Sequence, residues 1–123
     1  MRTVLLRHAL PDGSSHYDWM LEVGAKATLM TFRVGVRIDD PAVTHFEAER
    51  LPDHRRAYLD YEGEVSGGRG CVARVAGGQA KVEDHPGGLT LNVDWGGVHA
   101  VFRGRCVAGD RWVFERSAGA DQG

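Results

Sequence analysis

The stretch His16-Tyr17-Asp18-Trp19-Met20-Leu21-Glu22-Val23 decides how this chain is read. In an extended strand successive side chains point to opposite faces, so alternate residues share one face. Tyr17, Trp19, Leu21 and Val23 then make a plain core face, and His16, Asp18, Met20 and Glu22 make the other. The alternation predicts that the first set is more buried than His16, Asp18 and Glu22, with Glu22 partly enclosed if a groove covers it.

Outward from this strand, the chain is cut into short pieces by turn residues. Breaks fall at Pro11-Asp12-Gly13, Asp39-Asp40-Pro41, Ser66-Gly67-Gly68, Gly77-Gly78, Pro86-Gly87-Gly88, Gly96-Gly97 and Gly109-Asp110. Between them lie strand-length runs: Thr3–Arg7, Thr28–Val36, Gly70–Val75, Ala80–Glu83, Leu89–Trp95, Val98–Arg105 and Arg111–Arg116. The fold class is therefore all-β with minor helix, and the regular spacing argues for a barrel or sandwich. Helix is confined to two candidates, Pro41–Arg50 and Pro52–Tyr61, each equally readable as a strand or a single turn. Trp95 and Trp112 read as core.

At 123 residues the chain is one domain, 1–116, with a small polar tail at 117–123 expected to be flexible. A composition of 42% hydrophobic and 26% charged residues excludes disorder over the whole chain. No apolar run approaches the ~18 residues of a spanning helix, so no membrane association is expected. The start, Met1 to His8, is too short an apolar stretch for a secretory signal. Net charge is −2, so no global basic excess announces nucleic acid, although 13 of the 15 basic residues are arginine, whose planar fork suits phosphate. Cys71 and Cys106 lack zinc-type spacing and read as small buried hydrophobes in a reducing cytoplasm.

The polar face of the deciding strand carries the chemistry. His16 and Asp18 sit about 7 Å apart at their alpha carbons, from where both reach one cation. His8 ends the preceding strand, and a hairpin would bring it beside them. Two imidazoles and one carboxylate with open positions suit Mn, Fe or Zn. A His-x-Asp pair also serves as a hydrogen-bonded surface pair, and the same three residue types make the facial triad of non-haem iron oxygenases. A second polar segment, Asp53-His54-Arg55-Arg56-Ala57-Tyr58, offers a proton-transferring imidazole with Arg and Tyr to grip a phosphate; taken alone it is a solvated turn. Ser66-Gly67-Gly68-Arg69-Gly70 lacks the Lys-Ser/Thr of a nucleotide loop and reads as a hairpin turn.

Taken in order from about Leu5 to Val75, these pieces resemble the 3′-phosphoesterase domain of bacterial DNA ligase D and its stand-alone relatives. The resemblance rests on His8, then His16-Tyr17-Asp18-Trp19-Met20-Leu21-Glu22, then Asp53-His54-Arg55-Arg56-Ala57-Tyr58, then Tyr61-Glu62-Gly63 and the glycines at 67–70, with an echo in Trp112-Val113-Phe114-Glu115-Arg116. It implies a compact antiparallel β-barrel with a groove on one side. It implies Mn²⁺, or another divalent transition metal, held by His8, His16 and Asp18, with His54 and Tyr58 facing the phosphate as catalytic residues. The implied activity trims nucleic-acid 3′ ends, removing a 3′-terminal ribonucleotide and then the 3′-phosphate; the expected partners are such ends and a separate ligase or polymerase, and the chain is expected to be a monomer.

The sequence departs from the family at three points. The family's catalytic Arg on the metal-binding strand is Met20 here, an acidic residue before the second-site His is Pro52, and the His8–His16 interval is two residues longer. Arg55 and Arg56, or Arg33, are the candidates to hold the phosphate in place of the missing Arg, and Met20→Arg is expected to raise turnover. A non-catalytic member, binding metal or nucleic acid as a repair accessory, is the alternative that Met20 favours.

Overall fold

The computed structural model describes residues 1–117. Nine strands are formed: β1 (Arg2–Ala9), β2 (Ser15–Glu22), β3 (Thr28–Val34), β4 (His45–Arg55), β5 (Gly63–Glu64), β6 (Cys71–His85), β7 (Gly88–Trp95), β8 (Val98–Ala108) and β9 (Arg111–Arg116). The helical content is one 3-10 turn, Arg56–Leu59. Eight strands close a barrel in the order β1-β2-β3-β4-β9-β8-β7-β6, and β6 returns to β1. Every pairing is antiparallel, and β5 is a short addition against the start of β6. Closure leaves the eight strands with no free sheet edge, which removes the usual site of edge-to-edge association.

The barrel is filled from the odd-numbered face of the deciding strand. Trp19 lies at its centre, fully buried, with the rings of Phe32, Phe46, Trp95, Phe102 and Phe114 at 5.4–6.5 Å between centroids. Its indole N–H is not stranded there: it donates to Thr3 Oγ1 at 3.0 Å, and that hydroxyl donates to the Met20 carbonyl at 2.8 Å.

A second, smaller apolar cluster lies on the outside of the wall. Val4, Leu6, Met20, Leu29 and Val72 project outward, and Leu59 and Val65 press down on them from the segment between β4 and β6. That segment is tied in place by Arg2, which donates to Asp60 at 2.7 Å, and by Arg56, which pairs with Glu22. The deciding strand is consequently buried on both faces. Asp18 and Glu22 retain 3% and 6% of their exposure, whereas Tyr17, near the barrel mouth, and Val23, just past the strand end, are only half-buried. The expected ranking holds for Trp19 and Leu21 and fails for Tyr17 and Val23, because alternation predicts which face a residue takes and not what covers it.

Three further expectations are corrected. Gly77-Gly78 is not a break: β6 runs through it, with Gly77 and Gly78 paired to Val4 and Thr3 of β1 and the pairing with β7 beginning at Gln79. A Cβ at Gly78 would stand 1.8 Å from the Asp94 carbonyl oxygen, so glycine here permits close strand approach rather than a turn. Cys71 and Cys106 are exposed, not buried, since both lie at strand ends, Cys106 beside the β8–β9 turn with its thiol donating to the Gly109 carbonyl at 3.3 Å. Trp112 is only partly buried, packed against the core rather than within it, while Trp95 is buried as expected. The two helix candidates resolve into β4 and the single 3-10 turn. Of the expected tail, residues 118–123 lie outside the described residues; Ser117 is held by its N–H on the Val101 carbonyl at 2.8 Å.

Candidate metal centre and groove

The β1–β2 hairpin pairs His8 directly with His16 and Leu6 with Asp18. The interval between the strands, with Pro11-Asp12-Gly13 in it, is absorbed by a turn in which Asp12 accepts from the Ser14 N–H and hydroxyl. Register thus places both imidazoles and the carboxylate on one outer patch. One ligand atom from each of His8, His16 and Asp18 lies within 4.8 Å of the others. His8 Nδ1 is 3.5 Å from Asp18 Oδ2, His16 Nε2 is 3.2 Å from Asp18 Oδ1, and the two imidazole centroids are 4.9 Å apart.

The chemistry of this set fits a cation. Asp18 is buried, yet among the described residues no Lys or Arg nitrogen reaches its carboxylate. His16 Nε2 and Asp18 Oδ1 are buried and face each other at 3.2 Å, with no other polar partner among the described residues. Buried polar atoms without partners are costly, and a buried carboxylate is ordinarily paired or metal-bound. Burial pushes the His16 imidazole below the ordinary histidine range; Asp18 opposes the shift, and the charges of Arg33 and His8 reinforce it. The neutral imidazole so favoured is the form that ligates metals.

A groove of about 810 Å³ runs from this patch, between the barrel wall and the covering segment. His8 and Asp18 line one part, and Arg33, His54, Arg55 and Tyr58 line others. His54 reaches the groove through a β-bulge. Thr31 pairs with Leu51 and Leu29 with His54, so Pro52 and Asp53 stand opposite the single residue Met30. The extra residue resets alternation and puts His54, rather than Asp53, in the outward row of Leu29 and Glu22. The bulge also accommodates Pro52, which has no N–H for the ladder. His54 Nδ1 lies 2.9 Å from the Pro52 carbonyl; that oxygen only accepts, so Nδ1 carries the proton and Nε2 is left free. Tyr58, on the 3-10 turn, packs edge-on to His54 at 5.8 Å between centroids.

Seven of the eight residues singled out from sequence therefore gather on one patch and its groove. Arg56 does not. It pairs with Glu22 and donates to the Lys26 carbonyl at 3.1 Å, fastening the covering segment. Arg33 stands in its stead, opposite Asp18 in the β2–β3 register and tethered to Glu49 only at 3.8 Å. Arg33 was a candidate from sequence, but that its strand neighbours Asp18 was not written there. Met20 is fully buried in the outer apolar cluster and lines the groove from there. No protein-family model matches this chain, and no curated protein matches it. No helix among the described residues is long and apolar enough to cross a membrane.

Proposed function

We propose that this chain is a metal-dependent phosphoesterase acting on nucleic-acid 3′ ends, as its sequence resemblance implies. The observation that carries the reading is the convergence of His8, His16 and Asp18, two of whose buried ligand atoms face only each other, at the side of a groove that His54, Tyr58, Arg33 and Arg55 help to line. A bound Mn²⁺ or similar ion supplies Lewis acidity toward a phosphate oxygen and lowers the pKa of water.

The chain's own residues do the remainder. Arg33 and Arg55 hold the non-bridging oxygens and balance charge that grows in the transition state. His54 presents an unprotonated Nε2 to the groove, fixed in orientation by Pro52, and so takes or returns a proton at the leaving or attacking oxygen. Tyr58 directs its hydroxyl to the same phosphate. Turnover is expected to be slow, since position 20 provides no cation. The protein acts as a cytoplasmic monomer on ends that a separate ligase or polymerase then uses.

The test is incubation of a 3′-phosphate primer–template with the protein and Mn²⁺. Release of inorganic phosphate, lost on chelation, supports the reading. Retention of the DNA without release supports the second reading, a non-catalytic accessory, which the apolar burial of Met20 favours. Neither release nor retention refutes both.

A further inference from the structure

We propose that the backbone carbonyl of Arg69 locks His8 in the Nε2–H tautomer, so that Nδ1 is the nitrogen offered to a cation. The proposal rests on the metal reading above and assigns a role to the Ser66–Gly70 turn, which the phosphoesterase reading leaves without one.

His8 Nε2 lies 2.7 Å from the Arg69 carbonyl oxygen. A carbonyl only accepts, so the proton of the neutral imidazole sits on Nε2 and the lone pair on Nδ1. Nδ1 is the nitrogen 3.5 Å from Asp18 Oδ2. A lone pair facing a carboxylate is unfavourable unless a cation or a proton lies between them. A metal-ligating histidine commonly donates its other ring N–H to a carbonyl or carboxylate, which fixes tautomer and ring orientation.

The carbonyl is held where it is by backbone geometry. Gly70 has φ of +94°, and a Cβ there would lie 2.0 Å from the carbonyl oxygen of Ala9, the residue after His8. Only glycine lets the turn lie flat against the end of β1. The Gly70 carbonyl accepts from the Val65 N–H at 2.7 Å, closing the turn. The Arg69 side chain folds back on the same turn, with Nε donating to the Ser66 carbonyl at 2.7 Å and Nη2 to the Ser66 hydroxyl at 3.2 Å. Arg69 thus serves His8 through its main chain, and Gly70 is the positioning residue.

The experiment has two parts. In the metal-free wild type above pH 7.5, long-range proton–nitrogen correlation on ¹⁵N-histidine-labelled protein, assigned with His8→Gln, is expected to show His8 as Nε2–H. Mn²⁺ dissociation constants are then measured by electron paramagnetic resonance. Gly70→Ala is expected to weaken binding about 10–100-fold, the usual effect of losing an outer partner of a ligand. An Nδ1–H signal in a wild type that binds Mn²⁺ overturns the lock and leaves the metal reading standing. Wild-type affinity in a folded Gly70→Ala also overturns it. If Gly70→Ala does not fold, the wild-type tautomer decides. A wild type with His8 as Nε2–H that binds no Mn²⁺ overturns the metal reading, and the assignment of Nδ1 as ligand falls with it.

Discussion

Arg33 stands directly across from Asp18 in the β2–β3 pairing, a guanidinium and a buried carboxylate on one outer row of the barrel. Its side chain lines the groove and is only loosely tethered, which leaves it free to meet a phosphate. Arg33→Ala is expected to lower single-turnover phosphate release by about 10²–10³-fold, the usual loss for one charge-stabilising donor. Mn²⁺ affinity should change little. Arg56→Ala should leave release near wild type and lower the melting temperature, because that side chain fastens the covering segment to Glu22. Equal rates for wild type and Arg33→Ala would move the phosphate elsewhere.

Occupancy of the metal centre should stabilise the fold. A cation that binds only the folded chain adds about 2.7 kcal/mol at a hundred times its dissociation constant. Mn²⁺ is therefore expected to raise the melting temperature of the wild type and not that of Asp18→Asn, which removes one anionic ligand. A melting curve for the wild type that does not respond to Mn²⁺, Fe²⁺ or Zn²⁺ would count against a site at these residues.

The centre also makes stability depend on pH. Burial, above all, holds the folded His16 imidazole below the ordinary histidine value of about 6.5. The folded chain then binds fewer protons than the unfolded chain in this range, so stability is lost as pH falls. The contribution is complete above about 6.5, the unfolded value, and declines as pH falls through the lower folded value. Urea unfolding of the metal-free protein at several pH values should show this decline, and His16→Asn should flatten it. A decline of unchanged size in His16→Asn would assign it to other groups.

The covering segment depends on one apolar peg. Leu59 is 2% exposed and enters the outer cluster with Met20 and Leu29. Leu59→Ala is expected to cost about 2–5 kcal/mol, as buried leucine truncations do. It should also loosen Tyr58 and raise proteolytic cleavage between residues 56 and 70. Denaturant unfolding with limited proteolysis checks both effects.

Met20→Arg looks from sequence like a gain of a phosphate clamp; in the fold Met20 is a fully buried member of the outer apolar cluster that also lines the groove, so the guanidinium must leave the cluster to reach it. An uncompensated buried charge costs about 3–5 kcal/mol. The variant is expected to unfold at lower denaturant concentration and to gain no turnover. Faster phosphate release without loss of stability would show that the arginine reaches the groove.

Much of this protein was legible in one dimension. Turn residues and alternation delimit the strands because both are local properties: proline and glycine restrict or release φ, and a pleat repeats every two residues. His16 and Asp18 share a face for the same local reason, and that face was readable before any pairing was known. Register, closure and cover are not local. His8 joins the pair only because β1 and β2 align it with His16. Arg33 enters the groove because β3 is the other neighbour of β2, and His54 does so because a bulge at Pro52-Asp53 shifts β4 by one residue. Arg55 and Arg56 are adjacent in sequence and diverge at the step from strand to 3-10 turn, one lining the groove and the other bound to Glu22. The burial of Asp18 and Glu22 was hidden for the same reason. Glu22 is covered from a segment some 40 residues away in the chain, through Arg56, and Asp18 is flanked by His8 and His16; contacts between distant segments are set by the closed barrel, not by any pattern within a strand.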